Sequence, residues 1–116
     1  TLIMARYTAD FIIDFKGEEI GKILLEILAE SSLKLIHQQG DFLIFREEMR
    51  EVYLSHLVTL EIKIQPKIDD HFKLSLLTYN EEIPVYDNNH CRQVIEDLVT
   101  LILNESQWRV IEWIII

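Results

Sequence analysis

The stretch VTLEIKIQPKIDDHFKLSLL, residues 58–77, decides how the rest of the chain is read. Val58, Leu60, Ile62 and Ile64 alternate with Thr59, Glu61, Lys63 and Gln65. After a turn at residues 66–70, Phe72, Leu74 and Leu76 alternate with His71, Lys73 and Ser75. A β-strand sends successive side chains to opposite faces, so a period of two marks two strands, each with one buried and one wet face. The turn residues between them join the two runs as an antiparallel hairpin. Its apolar face has to be covered, and the flanking chain supplies the cover.

Toward the amino end, Tyr7, Ala9, Phe11, Ile13 and Phe15 alternate with Arg6, Thr8, Asp10, Ile12 and Asp14, which predicts another strand. Ile20, Ile23, Leu24, Ile27 and Leu28 then recur at helical spacing, with Glu18, Glu19, Lys22, Glu26 and Glu30 opposite. This predicts an amphipathic helix over residues 18–30, with acids in its first turn and a break at Ser31-Ser32. Residues 33–37 and 42–46 flank Gln38-Gln39-Gly40-Asp41, a hairpin loop in which Gly40 can take positive φ. Residues 47–55 suit a helical turn, through Met49, Val52 and Tyr53, or an extended strand.

Toward the carboxyl end, residues 83–86 suggest a short edge strand, because Pro84 cannot donate to a ladder. Asp87, Asn88 and Asn89 are cap candidates for a second helix whose inner face is Cys91, Val94, Ile95, Leu98, Val99 and Ile102. Asn104-Glu105-Ser106 ends that helix, and residues 108–116 form a last strand. The order β-α-β-β-β-β-α-β gives an α+β fold: a two-layer sandwich of an antiparallel-rich sheet and two helices. A ferredoxin-like core with an extra hairpin fits this order, as does a helix-grip or cystatin-like sheet wrapped around a helix. Residues 1–116 read as a single domain, large enough for one core without metal or disulfide staples.

Composition narrows the function. The chain is 49% hydrophobic and 27% charged, a globular balance. Its 20 acids and 11 bases leave a net charge of −9, and the bases are scattered singly. Phosphate backbones and anionic membrane surfaces call for clustered Lys and Arg, so neither nucleic acid nor membrane is expected as a partner. No apolar run reaches the ~18 residues of a spanning helix, and the amino end lacks the order of a signal peptide. One cysteine, Cys91, permits no intrachain disulfide and fits the cytoplasm.

The stretch FKGEEIGKILLE, residues 15–26, resembles a phosphate loop only superficially. A P-loop needs Gly, four residues, then Gly-Lys-Ser/Thr. Here three residues separate Gly17 from Gly21, Ile23 stands where a hydroxyl is required, and two glutamates face the phosphate path. Gly21 reads instead as a close-packing point and Lys22 as a helical partner of Glu18 and Glu26. His37, His56, His71 and His90 have no ligand spacing, and Asp69-Asp70-His71 reads as a turn. Cys91 is the candidate reactive thiol, at a helix start that would lower its pKa, but its place on the inner stripe argues for packing. The acid pairs Glu47-Glu48, Glu81-Glu82 and Glu96-Asp97 read as solvated, whereas Glu112 is set in an apolar tail and needs a partner if buried. No cofactor is implied.

Two surfaces remain. The outer sheet face carries Ile12, Leu77 and Tyr79 as an apolar patch among mixed charges. The tail is richer: Ile111, Trp113 and Ile115 occupy one face while Val110, Ile114 and Ile116 occupy the other, with Trp108 before them. A strand under one helical layer needs only one apolar face, so the other face predicts an interface, by the commonest solution a two-fold homodimer. The expectation is a non-catalytic cytoplasmic protein acting through protein–protein contacts. The alternative is a small-molecule-binding or enzymatic domain with its pocket between the sheet and the second helix.

Overall fold

The computed structural model describes residues 4–17, 19–49, 54–84 and 89–116. The elements are β1 (Arg6–Asp14), α1 (Ile20–Leu28), β2 (Leu33–Gln39), β3 (Phe42–Glu47), β4 (Thr59–Pro66), β5 (His71–Tyr79), α2 (His90–Leu103) and β6 (Arg109–Ile115), with a 3-10 turn at Leu54–His56. Among the described residues the strands form one six-stranded antiparallel sheet in the order β2-β3-β4-β5-β1-β6. It is an α+β fold.

Registers place the apolar sets in line. Ala9, Phe11 and Ile13 of β1 stand opposite Leu76, Leu74 and Phe72 of β5. Leu76 and Leu74 stand in turn opposite Ile62 and Ile64 of β4, and Ile62 faces Leu43 of β3. Both helices bury their stripes against this one face: Ile20, Ile23, Leu24 and Leu28 from α1, and Ile95, Leu98, Val99 and Ile102 from α2. The period of two in the sequence thus comes from a sheet covered on one side and open on the other.

The turns follow local chemistry. In the β4–β5 turn the His71 N–H donates to the Ile68 carbonyl at 3.3 Å, and both central residues, Asp69 and Asp70, have positive φ (59° and 61°). Aspartate tolerates that region better than most residues, and positive φ at both positions is what a type I′ turn requires. The β2–β3 turn is Gly40-Asp41, with Gly40 at φ 57°.

Several expectations are corrected. Helix α1 begins at Ile20 with no acid in its first turn, and the Glu19 side chain makes no cap. Ile83 and Pro84 lie in no strand, and residues 85–86, like 50–53, Glu18, Asp87 and Asn88, lie outside the described residues. Gly21 is not a close-packing point: a Cβ there would meet only Ile64 Cδ1, at an ordinary 3.8 Å. Gly17 is the tight one, because a Cβ would fall 2.2 Å from Cζ of Phe15, whose buried ring packs against Phe72 and Trp108.

Candidate interaction site

Strand β6 pairs on one side with β1 and has no strand on its other side among the described residues. Trp108 precedes it and is buried, its ring N–H donating to the Ile102 carbonyl at 2.9 Å. A buried indole needs such a partner, and this one stitches the end of α2 to the start of β6. Trp108 is therefore core, not contact surface. Val110 and Ile115 are half-buried against the core. Ile111, Trp113, Ile114 and Ile116 are 45%, 47%, 56% and 71% exposed.

The faces differ from simple alternation. Ile13 is paired with Val110 and Ile12 with Glu112, so Ile111 is an extra residue, a β-bulge. Val110, Trp113 and Ile115 consequently share the helix side with Ile13, Phe11 and Ala9, whereas Glu112 and Ile114 share the open side with Ile12 and Asp10. Trp113 stacks on Phe11, with ring centroids 6.5 Å apart, yet stays half-exposed because β6 lies at the rim of the helical layer. Glu112 is exposed on the open face, across Ile12 from Lys73, and needs no buried partner.

On the open sheet face Ile12, Leu77 and Tyr79 are all half-buried, but they do not form one patch. Leu77 and Tyr79 line a shallow hollow with Met4, Arg6 and Glu61. Ile12 lines a separate hollow of about 440 Å³ with Asp10, Lys67, Lys73 and Glu112, and this one reaches Trp113 and Ile114 on β6. Burial first, and then a hydrogen bond to Glu61, raise the Tyr79 pKa. The space between α2 and the sheet is filled by Cys91, Ile95, Leu98, Val99 and Ile102, each no more than 4% exposed.

One polar cluster escaped the sequence reading. Glu47, at the end of β3, is 8% exposed and accepts from the Val58 N–H at 2.7 Å, from Ser32 Oγ at 3.3 Å, and from His90 Nε2 at 2.8 and 3.0 Å. Glu82 accepts from the N–H groups of His90 and Cys91 at 3.3 and 3.1 Å, while Asn89 caps the Arg92 N–H at 2.8 Å. The donors at the start of α2, which often hold an external anion, are thus occupied by the chain's own side chains. Glu47 and His90 lie 43 residues apart.

Cys91 sits beneath this cluster at 0% exposure, its Sγ 3.6 Å from Thr78 Oγ1 and 3.9 Å from the Ala5 carbonyl. Burial pushes the thiol from its ordinary 9.0 up to about 11, against the lowering effect of Thr78. A protonated, inaccessible thiol is no nucleophile. Among the described residues no group of three or more His, Cys, Asp or Glu is placed to hold a metal ion, and no helix is long and apolar enough to cross a membrane. Comparison with protein-family models, curated proteins and solved structures finds no match for this chain.

Proposed function

We propose that this protein is a non-catalytic contact domain that works as a homodimer joined along β6. One observation carries the reading: a sheet edge with no strand beside it among the described residues bears four exposed large apolar side chains within six residues, Ile111 to Ile116. Edge strands are normally blunted by charge, and here only Arg109 and Glu112 serve, Arg109 already pairing with Asp14 at 3.2 Å. Burying a side chain of this size is worth about 1.5–3 kcal/mol, so the strip favours association. A second copy offers the same strip, and two-fold closure sets the two strips against each other.

The absence of catalysis is supported by the chemistry elsewhere. The polar cluster at the start of α2 consists of groups that satisfy one another, and the single thiol is buried. The same reading takes the fold as ferredoxin-like: β1-α1-β4-β5-α2-β6 with its four strands in the order β4-β5-β1-β6, and the β2–β3 hairpin added beside β4.

Light scattering coupled to size exclusion is the test. The expected mass is twice the 13.8 kDa of the chain. Ile114→Glu, on the open face and away from the core, is expected to give a folded monomer. A wild-type protein that stays monomeric at high micromolar concentration overturns the proposal.

A further inference from the structure

Resting on that dimer, we infer that the two chains pair strand to strand, antiparallel, with Trp113 opposite the partner's Trp113 on the two-fold axis. The backbone of β6 determines which registers are open. Thr8 and Ile116 exchange both backbone hydrogen bonds, at 3.3 and 2.8 Å, so they are a hydrogen-bonded pair. In an antiparallel ladder such pairs alternate with pairs whose polar groups point apart. Asp10 with Ile114 and Ile12 with Glu112 therefore belong to the first kind, and Ala9 with Ile115 and Phe11 with Trp113 to the second. The N–H and C=O groups of Trp113 and Ile115 point out of the open edge.

A strand docking there has to meet those groups with its own. For two identical strands about a two-fold axis, outward residues must face outward residues, so the axis passes through a residue and not between two. Centring on Glu112 sets two like carboxylates opposite each other in a close, non-hydrogen-bonded pair, which is unfavourable. Centring on Ile114 sets Trp113 opposite the partner's Ile115 and so parts the two indoles. Centring on Trp113 sets Ile111 opposite the partner's Ile115 and Glu112 opposite the partner's Ile114. It also joins the stacked Phe11–Trp113 pair to its copy on the helix side, a run of four rings.

The other open edge, β2, does not compete. It exposes Leu35 and Ile36 (39% and 59%), but it also carries Lys34, His37, Gln38 and Gln39 and has its own irregularity between Leu35 and His37, which are blunting features. A β2-to-β6 contact would also propagate without closing.

Amide hydrogen exchange on the wild-type protein, with light scattering at the same concentrations, tests the pairing. The Trp113 and Ile115 amides are expected to exchange at least tenfold slower in the dimer than after dilution to monomer. The Ile114 amide, bonded to β1, is expected to be slow in both. Oxidation of Glu112→Cys, Trp113→Cys and Ile114→Cys then tests the register. Opposed Cα atoms in a hydrogen-bonded pair are about 5.5 Å apart, within disulfide range, so Trp113→Cys is expected to give the highest yield of covalent dimer. A monomer by scattering overturns the dimer and the pairing together. A dimer whose Trp113 and Ile115 amides exchange fast overturns the strand pairing alone, and a dimer cross-linking best through Ile114→Cys overturns only the register.

Discussion

Replacing Glu47 by alanine tests whether the polar cluster, and not the core alone, holds the start of α2 in place. The carboxylate has three donors, and they differ in what they can recover. Val58 is fully buried, so its N–H, bonded at 2.7 Å, loses its acceptor with no water to replace it. A hydrogen bond to a charged group is worth about 1.5–3 kcal/mol, and its full loss is felt where the donor stays buried. His90 is 28% exposed and Ser32 is half-buried, so both can turn to solvent and together add roughly 1 kcal/mol. The expected loss is about 3 kcal/mol, which for a chain of this length lowers Tm by roughly 12 °C. Urea unfolding followed by fluorescence of Trp108 and Trp113 measures it, as a lower midpoint at unchanged slope. Glu30→Ala, just past the end of α1 and exposed, removes the same charge and is expected to cost under about 1 kcal/mol. Equal losses from the two substitutions would refute the reasoning, because charge and not buried geometry would then be responsible.

Two further expectations follow from packing and from titration. Gly21→Ala is expected to stabilise by about 0.5–1 kcal/mol, since a helical glycine is replaced where a Cβ fits, whereas Gly17→Ala is expected to destabilise by about 1–3 kcal/mol, since the Phe15 ring is held by Trp108 and Phe72 and cannot yield; urea midpoints moving in the same direction for both would contradict the geometry. The folded protein holds the Cys91 proton to about 11 while the unfolded chain releases it near 9.0, so between these values the unfolded state binds fewer protons and stability falls as pH rises. Urea midpoints from pH 8 to 11 are expected to fall more steeply for the wild type than for Cys91→Ala, and parallel curves would place the thiol in contact with water.

What was legible in the sequence was whatever one sheet face dictates. The alternation through β1, β4 and β5 is regular because each strand has helices on one side and water on the other. The caps were half legible. Asn89 carries a local signal three residues before the N–H it binds, but Glu82 reaches the same helix start from eight residues upstream of His90, across residues outside the described set. The Glu47–His90 contact had no local signal at all. Glu47 reads as half of a solvated acid pair, because nothing near it in the chain reveals that β3 ends at the start of α2. In the tail the composition was informative and the parity was not: Ile111 bulges, so counting by twos from Trp113 assigns Val110 to the wrong side. Trp108, grouped with the tail by composition, belongs to the core because its ring N–H finds the Ile102 carbonyl near the end of α2.

These differences bear on where a function can reside. Among the described residues every buried side-chain nitrogen and oxygen has a partner, so the polar cluster at one end of the sheet leaves no buried polar atom unpaired. At the rim the situation reverses. The outward N–H and C=O groups of Trp113 and Ile115 have no neighbouring strand among the described residues, and apolar side chains stand beside them on both faces of the sheet. Water can satisfy the backbone there, but it cannot satisfy Ile111, Trp113, Ile114 and Ile116. A second β-strand satisfies both at once, because its backbone meets the polar groups while its side chains cover the apolar ones. That double requirement, polar along the edge and apolar above and below it, is what the proposed pairing with β6 of a second copy would meet.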